Sequence, residues 1–302
     1  MQFYKEMIFI FSGIGTDYRQ IIHKYDLYSH DLLQNYMQRA YNVHGINLMD
    51  FFNNKQVENQ VLHNWIGIYT LDCVIFEKYR SVFLKPRCLM GYSMGLITAL
   101  QCGKALSYED GIELLIEIRR NHKVKSLESM SAIIGLDYTD IMDLINKHSL
   151  NDKVFIASEN NTQCFIVSGM KDAILHLNKI AESKGGRIGY IDADYAFHTK
   201  LLKKCSSKIN DVVNKMKINN LELPLLSSID QRWIINQEDI KKELVNNLFN
   251  KMCWEKSILK ATEDNNQANS EFIEVSLGKS LTNSSQIISK SNIFHTYDSI
   301  FG

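Results

Sequence analysis

Ser93 is the residue of this sequence whose surroundings best fit a catalytic nucleophile. It lies in Gly91-Tyr92-Ser93-Met94-Gly95, directly after a short apolar run and directly before apolar residues at helical spacing. A serine that exposes its Oγ on a strained strand-to-helix turn needs glycine on both sides, because side chains there would collide with the strand and the helix. The pattern is short enough to occur by chance. Ser93 is therefore either a nucleophile or a small residue in a tight turn.

A serine nucleophile also needs a base, and the sequence contains nine histidines. Most of them lie in polar helical segments, where an exposed surface position is the expected one. His198 differs because it lies at the end of Tyr195-Ala196-Phe197-His198, where the chain is expected to leave a small subdomain and return to the main sheet. We therefore consider His198 as the base for Ser93.

The elements around Ser93 are typical of a parallel α/β sheet. Short apolar runs at residues 7–11 and 88–90 each end in glycine, which predicts buried strands followed by tight turns. Helical spacing of apolar residues predicts helices over about 56–79, 96–103 and 108–121. Ser93 would then lie between a strand and a helix.

The pattern changes between residues 129 and 193. It predicts the order strand, helix, strand, strand, helix, strand, which is that of a ferredoxin-like unit. The predicted elements are 131–134, 139–146, 154–158, 164–168, 171–182 and 187–191. We therefore predict a large subdomain from residues 1–127 and 194–302 and a small ferredoxin-like subdomain from 128–193. The large one would continue with a helix to about 216, a strand at 223–229, a helix at 240–249 and a strand at 272–275.

Composition restricts the class of protein. A chain of 302 residues with 45% hydrophobic residues can bury a large core. Lys plus Arg and Asp plus Glu both number 34, so no net charge favours nucleic acid or an anionic membrane as partner. The six cysteines lack the spacing of metal ligands and predict buried, reduced thiols and no metal site. The apolar run at 7–11 is too short to span a membrane, and we expect a cytoplasmic protein.

Seven collinear stretches resemble the malonyl-CoA:acyl carrier protein transacylase family, which includes the acyltransferase domains of polyketide synthases. With the similar family sequence in parentheses, they are 11–16 FSGIGT (FPGQGS), 91–100 GYSMGLITAL (GHSLGEYTAL), 130–136 MSAIIGL (MAAIIGL), 160–169 NNTQCFIVSG (NSPGQVVIAG), 197–199 FHT (FHS), 248–254 LFNKMCW (LYNPVxW) and 272–281 FIEVSLGKSL (LYEVGPGKVL).

The resemblance implies an α/β-hydrolase-like parallel-sheet core with an inserted ferredoxin-like βαββαβ subdomain. It also implies a Ser-His dyad in which Ser93 attacks a thioester and His198 takes and returns the proton. A main-chain carbonyl, here that of Asn250, would orient the histidine, and the N–H groups of Ile14 and Met94 would form the oxyanion hole. The family binds no cofactor; its acyl group travels on coenzyme A or on the phosphopantetheine of an acyl carrier protein, which would be the partner.

One departure from the family bears on the substrate. Members that take malonyl hold its carboxylate with an arginine on the helix after the nucleophile, and an ungapped alignment puts Ile118 at that position. Arg119 follows one residue later, a rotation of about 100° on a helix, so it would point elsewhere unless a bulge restores the register. An apolar wall predicts an uncharged acyl group such as acetyl. The predicted pocket residues are Tyr92, Ile118, Arg119, Asn160 and Phe197.

Three functions remain possible from the sequence. The first is hydrolysis of acyl groups from carrier proteins in polyketide biosynthesis, because a hydrolase subset of the family resembles this chain in having GYSMG and no carboxylate-binding arginine. The alternative is a malonyl-CoA or other acyl-CoA:acyl carrier protein transacylase. The third is a non-catalytic homologue that docks on a synthase. Lysines that could meet an acidic carrier protein are Lys200, Lys203, Lys204 and Lys279.

Overall fold

The computed structural model describes residues 7–302 except 16, 26, 83–85, 122–126 and 264–269. The strands are β1 (Met7–Phe11), β2 (Pro86–Gly91), β3 (Glu128–Ile134), β4 (Val154–Asn161), β5 (Cys164–Met170), β6 (Arg187–Ile191), β7 (Leu225–Leu226), β8 (Trp233–Ile234), β9 (Met252–Cys253), β10 (Glu271–Val275) and β11 (Ile293–His295).

The α-helices alternate with these strands along much of the chain. They are α1 (Asp31–His44), α2 (Leu48–Phe52), α3 (Gln60–Val82), α4 (Gly95–Cys102), α5 (Tyr108–Arg120), α6 (Tyr138–Lys147), α7 (Lys171–Ser183), α8 (Ser206–Lys215), α9 (Gln237–Asn246), α10 (Trp254–Glu263), α11 (Ser280–Ile288) and α12 (Tyr297–Phe301). Short 3-10 helices cover Tyr18–Gln20 and Lys200–Cys205.

The larger sheet has the strand order β11-β10-β1-β2-β7-β8 and is parallel except for β8, which pairs antiparallel to β7. All five side chains of β1 are buried because the sheet is covered on both faces, as parallel sheets require. The main core packs α3, α4 and α5 on one face, and a second core around Trp254 and Phe272 covers the other. The predicted α/β fold with a parallel-sheet core is confirmed.

The smaller sheet has the order β6-β3-β5-β4-β9. Strands β3 to β6 pair antiparallel, and α6 and α7 pack on one face through their own apolar cluster. The strand β9 comes from much later in the chain and pairs in parallel with β4, joining Ser158 to Met252. Its two residues carry no strand pattern, so the sequence did not predict it.

Two predictions near His198 were too long. The helix expected from His198 to about 216 is a 3-10 helix followed by α8, and the strand expected at 223–229 is only β7. The helices α1, α2, α10, α11 and α12 and the strands β8 and β11 were not predicted. Helical spacing alone does not show where a 3-10 turn replaces an α-helical turn, because both bury similar faces.

Candidate active site

The turn that carries Ser93 connects β2 to α4. Ser93 has φ 56°, a left-handed conformation that is uncommon for a residue with a side chain. A Cβ on Gly91 would lie 2.4 Å from Cα of Leu96, and a Cβ on Gly95 would lie 2.2 Å from the carbonyl oxygen of Phe11. Both glycines are therefore required by close backbone approach, and the strand-to-helix turn has the geometry expected for an exposed nucleophile.

His198 lies against Ser93. The distance from Ser93 Oγ to His198 Nε2 is 2.8 Å, that of a hydrogen bond. His198 is 3% exposed and also has a left-handed backbone, with φ 60°. Its main-chain N–H donates to the carbonyl of Leu248 at 2.8 Å. The structure thus brings together the two residues that are 105 positions apart in the sequence.

The other side of the imidazole faces main-chain carbonyls. Burial lowers the pKa of His198 to about 4, while the carbonyls of Asn247 and Asn250 act in the opposite direction by favouring the protonated ring. Nδ1 makes no hydrogen bond of standard geometry to the described residues, so these carbonyls are near but not aligned with it. His198 is therefore neutral at pH 7 and able to accept a proton.

Asn247 was not among the predicted site residues. Its Nδ2 donates to the carbonyl of Ser93 at 2.9 Å, and its own carbonyl contributes to the environment of His198. It directly precedes the stretch Leu248-Phe249-Asn250 that resembles the family, and this adjacency is the signal that could have identified it. The predicted Asn250 lies beside the histidine together with Asn247.

A narrow inner cavity extends from the Ser93–His198 pair. Its polar lining residues are Ser93, His198 and Asn247, and within the part of the chain that the structure describes no Lys, Arg, Asp or Glu lines it. Ile118 is among the residues that line it. The apolar lining residues are Ile14, Trp65, Met94, Ile97, Leu115, Ile118 and Phe197. Trp65, Ile97 and Leu115 were missed because nothing in their local sequence distinguishes them from core residues.

The prediction of Arg119 as a pocket residue was wrong, since it lines neither this cavity nor the larger one beside it. Its Nη1 donates to Oδ1 and Oδ2 of Asp194 at 3.0 and 2.8 Å, and also to the hydroxyl of Tyr195. The guanidinium carbon lies 5.1 Å from the ring centre of Tyr195 and 5.9 Å from that of Trp65. Arg119 is thus held away from Ser93, and of the two adjacent residues only Ile118 faces the inner cavity.

A larger outer cavity opens on the other side of the dyad, between the two sheets. Tyr92 and Asn160 line it, and the Tyr92 hydroxyl donates to Asn160 Oδ1 at 2.9 Å. Ser158 Oγ donates to the same oxygen at 2.6 Å. Burial raises the pKa of Tyr92 to about 12, which keeps the phenol neutral. Phe197 lines both cavities and so borders the passage between them.

Two main-chain N–H groups are available near Ser93. Ile14 and Met94 line the inner cavity, and neither N–H donates to another of the described residues. Met94 immediately precedes α4, so its N–H belongs to the N-terminal end of that helix.

The four predicted partner lysines are all exposed. Lys279 directly precedes Ser280 and Leu281, which line the outer cavity. Lys200, Lys203 and Lys204 lie on the 3-10 helix after His198, where Lys200 is 3.5 Å from Asp152.

Among the residues in the structure, no group of three or more His, Cys, Asp or Glu side chains is arranged to hold a metal ion. No helix of that part of the chain is long and apolar enough to cross a membrane. Five of the six cysteines are buried and Cys164 is half-buried, and all six are free thiols.

The comparisons with known proteins agree with this architecture. The chain is 24% identical over 257 residues to the malonyl CoA-acyl carrier protein transacylase of Buchnera aphidicola subsp. Schizaphis graminum, covering 82% of each chain. It is 27% identical over 212 residues to the enzyme of the same name from Buchnera aphidicola subsp. Baizongia pistaciae, covering 69% of this chain and 67% of that one.

Solved structures show the same fold. The malonyl CoA-acyl carrier protein transacylase of Coxiella burnetii superposes with a TM-score of 0.85 at 21% identity, covering 97% of this chain and 93% of that one. A malonyl-transacylase in complex with its type II polyketide synthase acyl carrier protein superposes with a TM-score of 0.84 at 18% identity, covering 97% and 96%. The acyl transferase domain model matches residues 8–291. This chain therefore belongs to the acyl transferase domain family.

Proposed function

We propose that this chain carries an acyl group on Ser93, taken from a thioester, and that the acyl group is small and uncharged. The observation that supports this most is the 2.8 Å contact of Ser93 Oγ with a neutral, buried His198 at the mouth of an apolar cavity. An outer cavity on the opposite side has room for the thioester arm. The dyad would thus lie where acyl group and carrier arm meet.

The residues suit a two-step acyl transfer. Ser93 Oγ attacks the thioester carbonyl while His198 Nε2 accepts its proton, and the N–H groups of Ile14 and Met94 stabilise the oxyanion. The C–S bond then breaks, and His198 returns the proton to the leaving thiol. In the second step His198 removes a proton from the acceptor, which attacks the acyl-serine; the bond from the acyl carbon to Ser93 Oγ breaks, and His198 returns the proton to Ser93 Oγ. The carbonyls of Asn247 and Asn250 would stabilise the transient imidazolium.

The lining of the inner cavity supports an uncharged acyl group. A malonyl carboxylate would meet Ile118 and other apolar side chains there, and burying an unpaired carboxylate costs several kcal/mol. Arg119 is engaged with Asp194 and Tyr195 outside the cavity. Acetyl or a similar short acyl group avoids this cost.

The comparisons favour transfer as the second step, since the relatives named above are transacylases. We accordingly place acyl transfer between thioester carriers first, with an acyl carrier protein as partner that meets the exposed lysines near the outer cavity. Hydrolysis is the second candidate, and the apolar position of Ile118 favours it, because the hydrolase subset of the family also lacks the arginine. We expect the protein to work in the cytoplasm.

Intact-protein mass spectrometry distinguishes these outcomes. The protein is incubated with acetyl-loaded or malonyl-loaded carrier protein, and separately with acetyl-CoA or malonyl-CoA plus unloaded holo carrier protein. Acetyl transfer to the holo carrier supports the transferase, whereas loss of acetyl from the loaded carrier without a new acceptor supports the hydrolase. Ser93→Ala should abolish either reaction and the acyl-enzyme mass. Absence of any acyl-enzyme with all four donors would contradict the proposal.

The substrate charge is tested by Ile118→Arg, which places a guanidinium at the cavity wall. We expect this variant to gain malonyl-enzyme formation and to lose acetyl-enzyme formation. The matched control is Ile118→Met, which keeps the wall apolar and should keep the preference for acetyl. Efficient malonyl-enzyme formation by the unchanged protein would contradict the proposed selectivity.

A further inference from the structure

We propose that Arg119 is a positioning residue that, through Asp194 and Tyr195, holds the segment carrying His198 against Ser93. The inference rests on the proposed acyl-serine chemistry. Arg119 lines neither cavity, whereas its neighbour on α5, Ile118, forms part of the wall of the inner cavity. The inference therefore gives Arg119 a role outside the cavities.

The first support is the set of contacts that Arg119 makes. Its Nη1 bonds both carboxylate oxygens of Asp194, and its side chain is only 15% exposed. A partly buried, charge-assisted contact of this kind is stronger than an ordinary surface ion pair. The contact joins α5 to residues 194 and 195, which lie just before His198 in the chain.

The second support is an aromatic layer between Arg119 and the dyad. The guanidinium lies over the rings of Trp65 and Tyr195. Those rings in turn contact Phe197, with ring centres 6.0 Å from Trp65 and 5.3 Å from Tyr195. Because Phe197 adjoins His198 in the chain, a shift of this layer would move the imidazole.

The third support is the backbone of His198 itself. A φ of 60° at a non-glycine residue is strained and persists only where the surroundings hold it. Main-chain hydrogen bonds to residues outside the segment also anchor it. His198 N–H donates to the Leu248 carbonyl at 2.8 Å, and Ala196 N–H donates to Glu128 Oε2 at 2.9 Å. Arg119 supplies a further anchor from α5, the helix that also contributes Leu115 and Ile118 to the lining of the inner cavity.

The test uses Arg119→Met, which keeps the apolar stem and removes the hydrogen bonds. Two quantities are measured in the full-length protein: the rate at which Ser93 reacts with a fluorophosphonate, and the pKa of His198 by NMR of ring-labelled histidine. The fluorophosphonate forms a Ser93 O–P bond with loss of fluoride, so it reports the dyad without a carrier protein. We expect the rate to fall about 10- to 100-fold, as for a misplaced catalytic group.

We also expect the pKa of His198 to rise from about 4 towards its ordinary value, because a displaced imidazole becomes solvated. The groups that face this ring are Ser93 Oγ and the carbonyls of Asn247 and Asn250, and no charged side chain of the described residues contributes to its pKa shift.

Asp194→Leu separates positioning from a simple charge effect. Loss of the Arg119 charge alone would raise the pKa of His198, whereas loss of the Asp194 charge alone would lower it. Loosening of the segment raises the pKa in both variants. We therefore expect the same direction in each, and the double variant should be no worse than either single one, as for two residues that act together.

The controls are Arg119→Lys and Arg120→Met. Arg119→Lys should recover part of the rate, since it keeps the charge and one donor. Arg120 lies on the same helix, is paired with Glu117 and is exposed, so its replacement should change neither quantity. Thermal unfolding shows whether each variant is folded at the assay temperature. Unchanged rate and pKa in folded Arg119→Met, or opposite pKa shifts in the two variants, would overturn the inference. An unreactive wild-type Ser93 would instead count against the proposed function, while the pKa measurement would still decide on positioning.

Discussion

The two halves of the proposed dyad are held in similar backbone conformations by different means. Ser93 has φ 56° and His198 has φ 60°. The Ser93 turn is built by its immediate neighbours, because Gly91 and Gly95 let β2, α4 and the end of β1 approach within distances that no side chain would allow. The His198 segment contains no glycine and is held by groups from α5, β3 and the chain after α9.

This difference shows that a strained residue can be encoded locally or by tertiary contacts. Where the strain is encoded by glycines, changing a neighbour in sequence should disrupt the fold. Where distant contacts hold the strained backbone, replacing one of the contacting residues should change the position of the catalytic side chain and the reaction rate more than the free energy of unfolding. The four predictions below test this comparison.

The largest effect is expected from His198→Ala. Loss of the base should lower the rate of acyl-enzyme formation by about 10³-fold or more, while the Ser93 turn stays intact because it does not depend on the imidazole. Stopped-flow measurement of acyl-enzyme formation gives the rate, and thermal unfolding gives the stability. A rate within about tenfold of wild type would show that another group serves as base.

The next effect is on stability. Gly95→Ala would place a Cβ 2.2 Å from the carbonyl oxygen of Phe11, so we expect a loss of about 4 kcal/mol in the free energy of unfolding, or no folded protein. Gly45→Ala is the matched control. Gly45 has φ 68° with open space around it, and its replacement should cost only about 1 kcal/mol. Gly95 has no positive φ, so a loss for Gly95→Ala no larger than that for Gly45→Ala would show that the chain relaxes around the added methyl and that close approach does not require glycine there.

The third prediction concerns pH. Because the pKa of His198 is about 4, kcat/KM should stay level as pH falls through 6.5 and should decline only near pH 4. The titration of His198 should also change the free energy of unfolding, in the direction opposite to that of a histidine whose pKa is raised by folding. Between pH 6.5 and about 4 the unfolded chain binds more protons than the folded one, so this group lowers stability as pH falls. Initial rates and urea unfolding across this range check both, and an acid limb near pH 6.5 would contradict the buried imidazole.

The smallest effect is expected from Thr199→Val. The Thr199 hydroxyl donates to the Ala196 carbonyl at 2.7 Å, within the segment that carries His198. Loss of this hydrogen bond should lower the free energy of unfolding by about 1 kcal/mol. It should also lower kcat several-fold, because the segment would restrain the position of His198 less. The control is Thr262→Val on α10, whose hydroxyl donates to the Ile258 carbonyl at 2.9 Å. The control should lose similar stability with unchanged kcat, and equal kcat losses would contradict a specific role for the segment.

The sequence by itself predicted the α/β fold, the order of elements in the small sheet and the turn at Ser93. It also placed Ile118 at the cavity wall, although it counted Arg119 among the pocket residues as well, and the structure places Arg119 outside both cavities. These features depend on residues close together in the chain: alternating or helical apolar spacing, glycines that flank a turn, and the rotation of about 100° per helical residue. Such local constraints leave their pattern in consecutive positions.

Only the tertiary structure showed β9 on the small sheet, the carbonyls of Asn247 and Asn250 beside His198, and the contact of Arg119 with Asp194. It likewise identified Trp65, Ile97 and Leu115 as cavity residues. Each depends on segments far apart in sequence. Local conformational preferences do not determine which distant segments meet, so contacts of this kind leave no pattern in consecutive residues.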